Sequence, residues 1–404
     1  MTRRFSEQRW LLDNIIRTVG IDWDQQRTIS YNASCGAEAN ADLAAIRTRV
    51  QKFADISPAF ESAARRREAK AREAEDASQG ATARQSYFIA AVFYAAAQWP
   101  FDASNAKNIE LNAAKRECYQ RYAALADHRV EAVWVPFQDK ALPGWLHLPP
   151  SYSGGRIPVV WTIPGMDSFK ENAVALYGDR WLTRGIAVLA LEGPGQYENA
   201  VLGIHVSVPN WIDAGRAVAD WLAARPEIDS ARMAVAGQSF GSFFSTLVAA
   251  NEPRFSACAV TATCLEPGCH TIFEEASPTF KQRFMYMAGY EDEAAFDVFA
   301  RTLTWRGHAE KIRMPYLCIA GEADELCPLE FTEEMLGAMQ TDRQLVIYQD
   351  SRHSVGNVPS TNLGPAPALL AADWIRARFD GKPFASERWF VEASGRVVRT
   401  PLAR

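Results

Sequence analysis

The chain has 404 residues, 48% of them hydrophobic and 23% charged, an ordinary globular composition that excludes disorder, collagen-like repeats and a coiled-coil rod. At roughly 100–200 residues per domain, the length predicts two or three units, or one large domain with an appendage. A formal net charge of −5 argues against general affinity for phosphate backbones or anionic lipid, so neither nucleic acid nor a membrane is an expected partner.

The N-terminal run from Met1 to Trp10 lacks the apolar core and cleavage site of a signal peptide. The longest apolar stretch, Phe88 to Ala97, is half the roughly 20 residues a membrane span needs. A cytoplasmic protein is expected. The seven cysteines (Cys35, Cys118, Cys258, Cys264, Cys269, Cys318 and Cys327) are scattered, odd in number and without Cys-x-x-Cys spacing, which favours reduced thiols over a disulfide framework.

Residues 1–128 read as helical. Trp10, Leu11, Ile15 and Val19 give one short amphipathic stripe. Glu61 to Asp76 is an Ala/Arg/Glu run whose interleaved charges predict a solvated helix face rather than a nucleic-acid arm. Tyr87 to Trp99 is apolar on most faces, as in a buried helix, and Pro100 stops it. Asp102 or Ser104 can cap a further helix to about Leu125.

At Arg129 the texture changes. Short β-rich runs appear at Val130–Pro136, Gly144–Leu148, Pro158–Ile163, Ile186–Leu191, Met233–Ala236, Cys258–Thr263, Tyr316–Ala320 and Leu345–Tyr348. Helical stretches lie among them near Ala173–Thr183, Trp211–Ala224, Gly241–Asn251, Leu329–Met339 and Pro367–Phe379. This alternation predicts an α/β fold with a mostly parallel sheet and helices on both faces. The first two runs, with no helix between them, are expected to pair as an antiparallel edge hairpin. The expected organisation is a helical lid over residues 1–128, a core over 129–381 and a tail over 382–404. An insertion at about 265–313 interrupts the core; it is rich in aromatics, including Phe273, Phe280, Phe284 and Trp305. It is expected to serve as both core and pocket lining, and to suit a bulky apolar or aromatic substrate.

The run Met233–Ala236 leads directly into Gly237-Gln238-Ser239-Phe240-Gly241, which is Gly-x-Ser-x-Gly between a strand and a helix. Such a turn strains the serine backbone and lifts its hydroxyl above the sheet edge, while any Cβ at either glycine would collide as strand and helix approach. A serine hydroxyl is a poor nucleophile until a base takes its proton, and the base needs an acid to hold its tautomer. After the run Tyr316–Ala320 comes a polar turn bearing Asp324, with Glu322 and Glu325 as alternative acids. After Leu345–Tyr348 comes His353, which alone among six histidines follows a late strand in a turn. Ser239, Asp324 and His353 are therefore the expected catalytic triad, in the chain order this architecture uses. Backbone N–H groups of Phe240 and of Met166, in Pro164-Gly165-Met166, are the expected oxyanion hole. No metal or cofactor is expected: Cys264, Cys269 and His270 lack a fourth ligand at zinc spacing.

From Arg84 to about Asp380 the sequence resembles the α/β-hydrolases of the 2,6-dihydroxypseudooxynicotine hydrolase group, to which fungal polyketide-shortening hydrolases of the yellowish-green pigment type and FrsA-like proteins are related. The resemblance rests on Arg84-x-x-Tyr87 to Trp99, on Pro164-Gly165-Met166-Asp167-Ser168-Phe169-Lys170-Glu171 and on Glu192-Gly193-Pro194-Gly195-Gln196. It continues through the serine turn, Asn251-Glu252-Pro253-Arg254-Phe255, Gly321-Glu322-Ala323-Asp324 and His353. Two positions depart from that group: Tyr197 stands where glycine is usual, and Ser242 where a second glycine often follows the serine turn. The resemblance implies an α/β-hydrolase fold with an N-terminal helical lid, a homodimer, and hydrolysis of a ketone C–C bond. It also implies an acidic residue from the insertion near the nucleophile, for which Glu274 and Glu275 are the nearest candidates, with Tyr197 beside the pocket. Two other readings stay open: a carboxylesterase, lactonase or amidase using the same triad, and a non-catalytic binding protein that retains the fold.

Overall fold

The computed structural model of the protein describes residues 1–402; residues 403 and 404 of the expected tail lie outside the described residues. Ten strands form one sheet in the order β1-β2-β4-β3-β5-β6-β7-β8-β9-β10. They are β1 (Val130–Phe137), β2 (Lys140–His147), β3 (Ile157–Ile163), β4 (Ala187–Leu191), β5 (Ile228–Ser239), β6 (Ala257–Thr263), β7 (Tyr316–Gly321), β8 (Arg343–Tyr348), β9 (Glu387–Val391) and β10 (Val397–Pro401). From β4 through β9 every neighbouring pair is parallel. The expected hairpin β1–β2 closes one edge antiparallel, and β9–β10 closes the other.

The central strands are apolar along their whole length because both faces are covered. Val159, Trp161, Ile163, Val235 and Val260 point into one core, beneath helices Val208–Ala223 and Phe240–Asn251. Val160, Val188, Ala234, Ile319 and Val346 point into the other, beneath helices Ile56–Asp76, Gly80–Gln98 and Pro367–Phe379. The N-terminal helices therefore share one continuous core with the sheet.

Four local expectations are corrected. Residues 387–401, expected in a tail, supply β9 and β10; alternate residues of β9 pack against both cores, and a short strand of this kind is not distinguishable from a tail by pattern alone. Residues 173–183 form no helix, only short 3₁₀ turns at Lys170–Asn172 and Leu182–Arg184. Of the first helical stretch, Leu12 and Ile16 are buried, whereas Trp10, Leu11, Ile15 and Val19 are exposed. Apolar residues occupy both registers of that helix, and packing selected the i, i+4 pair. Asn105, not Asp102 or Ser104, caps helix Ala106–Leu125, its side chain accepting from Asn108 N at 2.9 Å.

Candidate active site

Ser239 ends β5 at φ 56° and ψ −129°, a region an L-residue occupies only when its surroundings force it. The forcing groups are visible. A Cβ on Gly237 would overlap the Gly241 carbonyl, and one on Gly241 would overlap the Ile163 carbonyl, so only glycine permits helix Phe240–Asn251 to start so close to β3 and β5. A bulge in β6 at Ala262, itself at φ 50°, shifts the register opposite Ser239 and opens the sheet edge there.

Ser239 Oγ lies 2.9 Å from His353 Nε2. His353 Nδ1 is 3.0 Å from both Asp324 oxygens, and Asp324 Oδ1 also accepts from the backbone of Leu326 (2.9 Å) and Cys327 (3.0 Å). Both the imidazole and the carboxylate are buried. The alternative acids lie elsewhere: Glu325 accepts the His353 backbone N–H at 3.0 Å, and Glu322 the Asp350 N–H at 3.1 Å. Burial disfavours the imidazolium, but the charge and hydrogen bond of Asp324, with Glu325 and Asp167, outweigh it and hold the His353 pKa above its usual 6.5.

Phe240 opens the helix after Ser239, where first-turn amides lack intrahelical partners. Its ring packs on Phe284 and Phe273 of the insertion, with centroids 4.5 and 5.9 Å away. The loop bearing Met166 presses on Ser239 so closely that a Cβ on Gly165 would sit 2.8 Å from Ser239 Cβ. Gln196 holds that loop: its Nε2 donates to the Pro164 and Gly165 carbonyls, and its Oε1 accepts from Gly193 N at 2.8 Å. The loop is further anchored by buried charge. Lys170 Nζ lies 2.6 Å from Glu198, 3.1 Å from Glu171 and 3.2 Å from Glu192, and Arg116 of helix Ala106–Leu125 lies 3.1 Å from Glu198. Burial would raise the Glu198 pKa, but Lys170, Lys115 and Arg116 outweigh it and hold it at about 2.

A cavity of about 60 Å³ surrounds Ser239 and His353, walled by Met166, Asp167, Ala262, Ile272, Phe280 and Leu326. The N-terminal segment roofs it with Gln25, Gln26, Arg27, Ser30 and Tyr31, and Ser354 beside the histidine donates to Gln25 at 2.8 Å. Asp167 accepts from Arg27 (2.6 Å) and from Trp99 Nε1 (3.0 Å), while Arg27 also pairs with Asp24 and stacks 3.8 Å over Trp99. The Tyr31 hydroxyl is buried without a hydrogen-bond partner.

The remaining candidates lie off this cavity. A π-helical turn, Thr271–Glu275, puts Ile272 into the wall and sends both glutamates outward. Glu274 pairs with Lys281 at 2.6 Å, and Glu275 is exposed beside His270. No insertion carboxylate lines the cavity among the described residues. Tyr197 is buried one layer back, its hydroxyl donating to the Asp167 carbonyl at 3.3 Å. Sequence reasoning missed Arg27, Tyr31, Asp167 and Gln196 as parts of the site. Asp167 and Gln196 stood inside quoted motifs, whereas Arg27 and Tyr31 carried no local signal. Among the described residues no helix is long and apolar enough to cross a membrane.

A mostly parallel sheet, helices on both faces and a strained serine turn at the end of a central strand define an α/β-hydrolase fold, and the protein is a hydrolase of that fold. The family described as "Esterase FrsA-like" matches residues 59–298. The chain belongs to this FrsA-like family. It is 31% identical over 291 residues to the alpha/beta hydrolase xenA of Xenoacremonium sinensis, covering 69% of this chain and 67% of that protein. To the alpha/beta hydrolase pydG of an Acremonium species it is 30% identical over 233 residues, 54% of this chain and 52% of that one. The crystal structure of the 2,6-dihydroxy-pseudo-oxynicotine hydrolase superposes with a TM-score of 0.75 at 24% identity, covering 89% of this chain and 98% of that one.

Proposed function

We propose that the protein is a serine hydrolase that cleaves a ketone C–C bond in an aromatic or polyketide-like small molecule. The observation that carries the reading is the hydrogen-bonded chain from Ser239 through His353 to Asp324 at a strained turn. In this mechanism Ser239 Oγ gives its proton to His353 Nε2 and attacks the carbonyl carbon. The N–H groups of Phe240 and Met166 receive the developing oxyanion. Collapse of the tetrahedral adduct breaks the C–C bond, and the departing carbon takes the proton from the imidazolium. Water then attacks the acyl-enzyme with His353 as base and releases a carboxylic acid.

A carbon leaving group is expelled only when its electron pair is stabilised, as in a β-diketone. Tyr31, which lines the cavity, supports this reading: its buried hydroxyl has no hydrogen-bond partner and, with its pKa pushed up by burial, stays protonated as a donor for an enolate oxygen. An ester needs no such donor. The family description as esterases favours the second reading, hydrolysis of a carboxylic ester by the same three residues. Residues 1–128 act in either case as a lid, through the wall from Gln25 to Tyr31.

The test is product analysis with benzoylacetone and phenyl acetate side by side. Cleavage of the diketone to a carboxylate and a methyl ketone, lost in Ser239→Ala and reduced more in Tyr31→Phe than ester cleavage is, supports the C–C reading. Ester cleavage alone leaves the esterase reading. Turnover of neither, whatever stands at position 239, overturns both readings.

A further inference from the structure

The catalytic cavity, at about 60 Å³, holds a reacting group and little more, whereas pockets that enclose small molecules run to several hundred Å³. A second chamber of about 310 Å³ abuts it; Ser30, Ser168, Asn172, Gln238 and Ala262 line both. The chamber exists because the side chains facing it are small. Thr162 of β3, Ala236 of β5 and Ala259 of β6 border it, with Ala368 and Ala371 of helix Pro367–Phe379 opposite. The same sheet face is filled elsewhere by Val160, Val188, Ile319 and Val346. A hollow at the carboxyl ends of parallel strands is where open α/β sheets take ligands.

One charged side chain lines this chamber among the described residues, that of Arg180. Its Nε is buried without a hydrogen-bond partner, and the carboxylate whose charge acts on it is that of the adjacent Asp179. The adjacent Asp179 is engaged elsewhere, its Oδ1 accepting from the backbone of Trp181 (2.7 Å) and Leu182 (3.1 Å). The Trp181 ring, 5.4 Å from the guanidinium carbon, is the one other contact that favours the cation. Arg180 is half-buried, and burial pushes its pKa down despite the pull of Asp179, so the adjacent carboxylate compensates its charge only in part. By contrast, Arg27 has two aspartates and Lys170 three glutamates within ion-pair distance.

We propose that this chamber is a substrate subsite for a carboxylate, held by the Arg180 guanidinium while Ser239 attacks a carbonyl elsewhere in the same molecule. A planar fork of donors matches a carboxylate bidentately, and Ser30, Ser34 and Asn172 supply further polar atoms along the wall. This narrows the substrate class to keto acids or acid esters, and it rests on Ser239 as the nucleophile only for the turnover arm of its test.

The turnover arm compares 4-nitrophenyl monoesters of the dicarboxylic acids from glutaric to sebacic with 4-nitrophenyl esters of neutral acids of equal length. At least one acidic ester is expected to exceed its neutral partner in kcat/KM by about 10- to 100-fold, the value of a buried charge-assisted hydrogen bond. Arg180→Gln should bring that ratio close to one, and Arg180→Lys should restore part of it. The binding arm uses Ser239→Ala protein and calorimetric titration with 4-phenylbutyrate and 4-phenylbutyramide. The carboxylate should bind at least tenfold more tightly, and Arg180→Gln should remove the difference. Undetectable carboxylate binding, or binding and ester ratios indifferent to Arg180, overturns the proposal. Failure of every ester with Arg180-dependent binding of 4-phenylbutyrate overturns the nucleophile assignment instead and upholds the subsite.

Discussion

Gln196→Leu removes an amide that ties two loops together behind Ser239. In the folded protein Gln196 is fully buried, accepts from Gly193 N at 2.8 Å, and donates to the carbonyls of Pro164 and Gly165. Leucine has similar bulk but no polar atoms, so the Gly193 N–H and the carbonyls of Pro164 and Gly165 all lose a partner inside the protein. An unsatisfied buried group costs about 1–3 kcal/mol, so three of them cost about 3–9 kcal/mol of stability. The catalytic consequence is separate. The Pro164 and Gly165 carbonyls fix the peptide that carries the Met166 N–H, and loss of one oxyanion donor costs about 10²- to 10³-fold in kcat. Gln196→Glu sharpens the test, because a carboxylate facing two carbonyl oxygens is repelled unless protonated. Its activity should recover as pH falls until His353 protonation intervenes. The assay is kcat and KM on 4-nitrophenyl acetate, with calorimetric melting of each variant. A kcat within threefold of wild type in Gln196→Leu, with the protein folded and destabilised, would refute the coupling between this amide and the oxyanion loop.

Ser239→Ala should abolish turnover by about 10⁴-fold or more, since triad members act as a unit, while leaving the melting temperature near wild type; residual activity above a few per cent in pure protein removes Ser239 from the mechanism. The raised His353 pKa places the acid limb of kcat/KM above pH 6.5, because only the neutral imidazole accepts the serine proton. Asp324→Asn should move that limb down and lower kcat by up to ~10⁴-fold, read from pH–rate profiles of the two proteins. For stability the sign is fixed by the same shift. A pKa raised on folding stabilises the protein below the unfolded value of 6.5, and that contribution fades as pH rises through the folded value, a trend that thermal melts across pH 5–8 should show weakened in Asp324→Asn. Glu274→Gln and Glu275→Gln should leave kcat/KM within about twofold, since neither carboxylate lines the cavity; a hundredfold loss in either would return the insertion carboxylate to the chemistry.

What the sequence determined by itself was local and periodic. The β-rich runs alternating with helices specify a parallel sheet covered on both faces, because only residues buried on both sides read as unbroken apolar stretches. Gly237 and Gly241 around Ser239 are likewise legible, since a turn that tight excludes any Cβ, and their place between strand and helix marks the serine before any contact is known. The position of His353 after a late strand follows from the same logic. Tertiary structure decided what depends on distant segments meeting. Arg27 and Tyr31 enter the cavity from a helix more than 200 residues before the serine, and nothing in their neighbourhood encodes that. Glu274 and Glu275 lie near enough in sequence to serve the site, yet one π-helical turn selects Ile272 for the wall and turns the carboxylates outward. Residues 387–401 become strands because β8 leaves an open edge for β9 to pair with. Arg180 carries no local signal of a role, and the chamber it lines exists only because β3, β5, β6 and two helices close around it with small side chains. Spacing fixes which backbone shapes are possible, while burial of a charge is a property of everything packed around it.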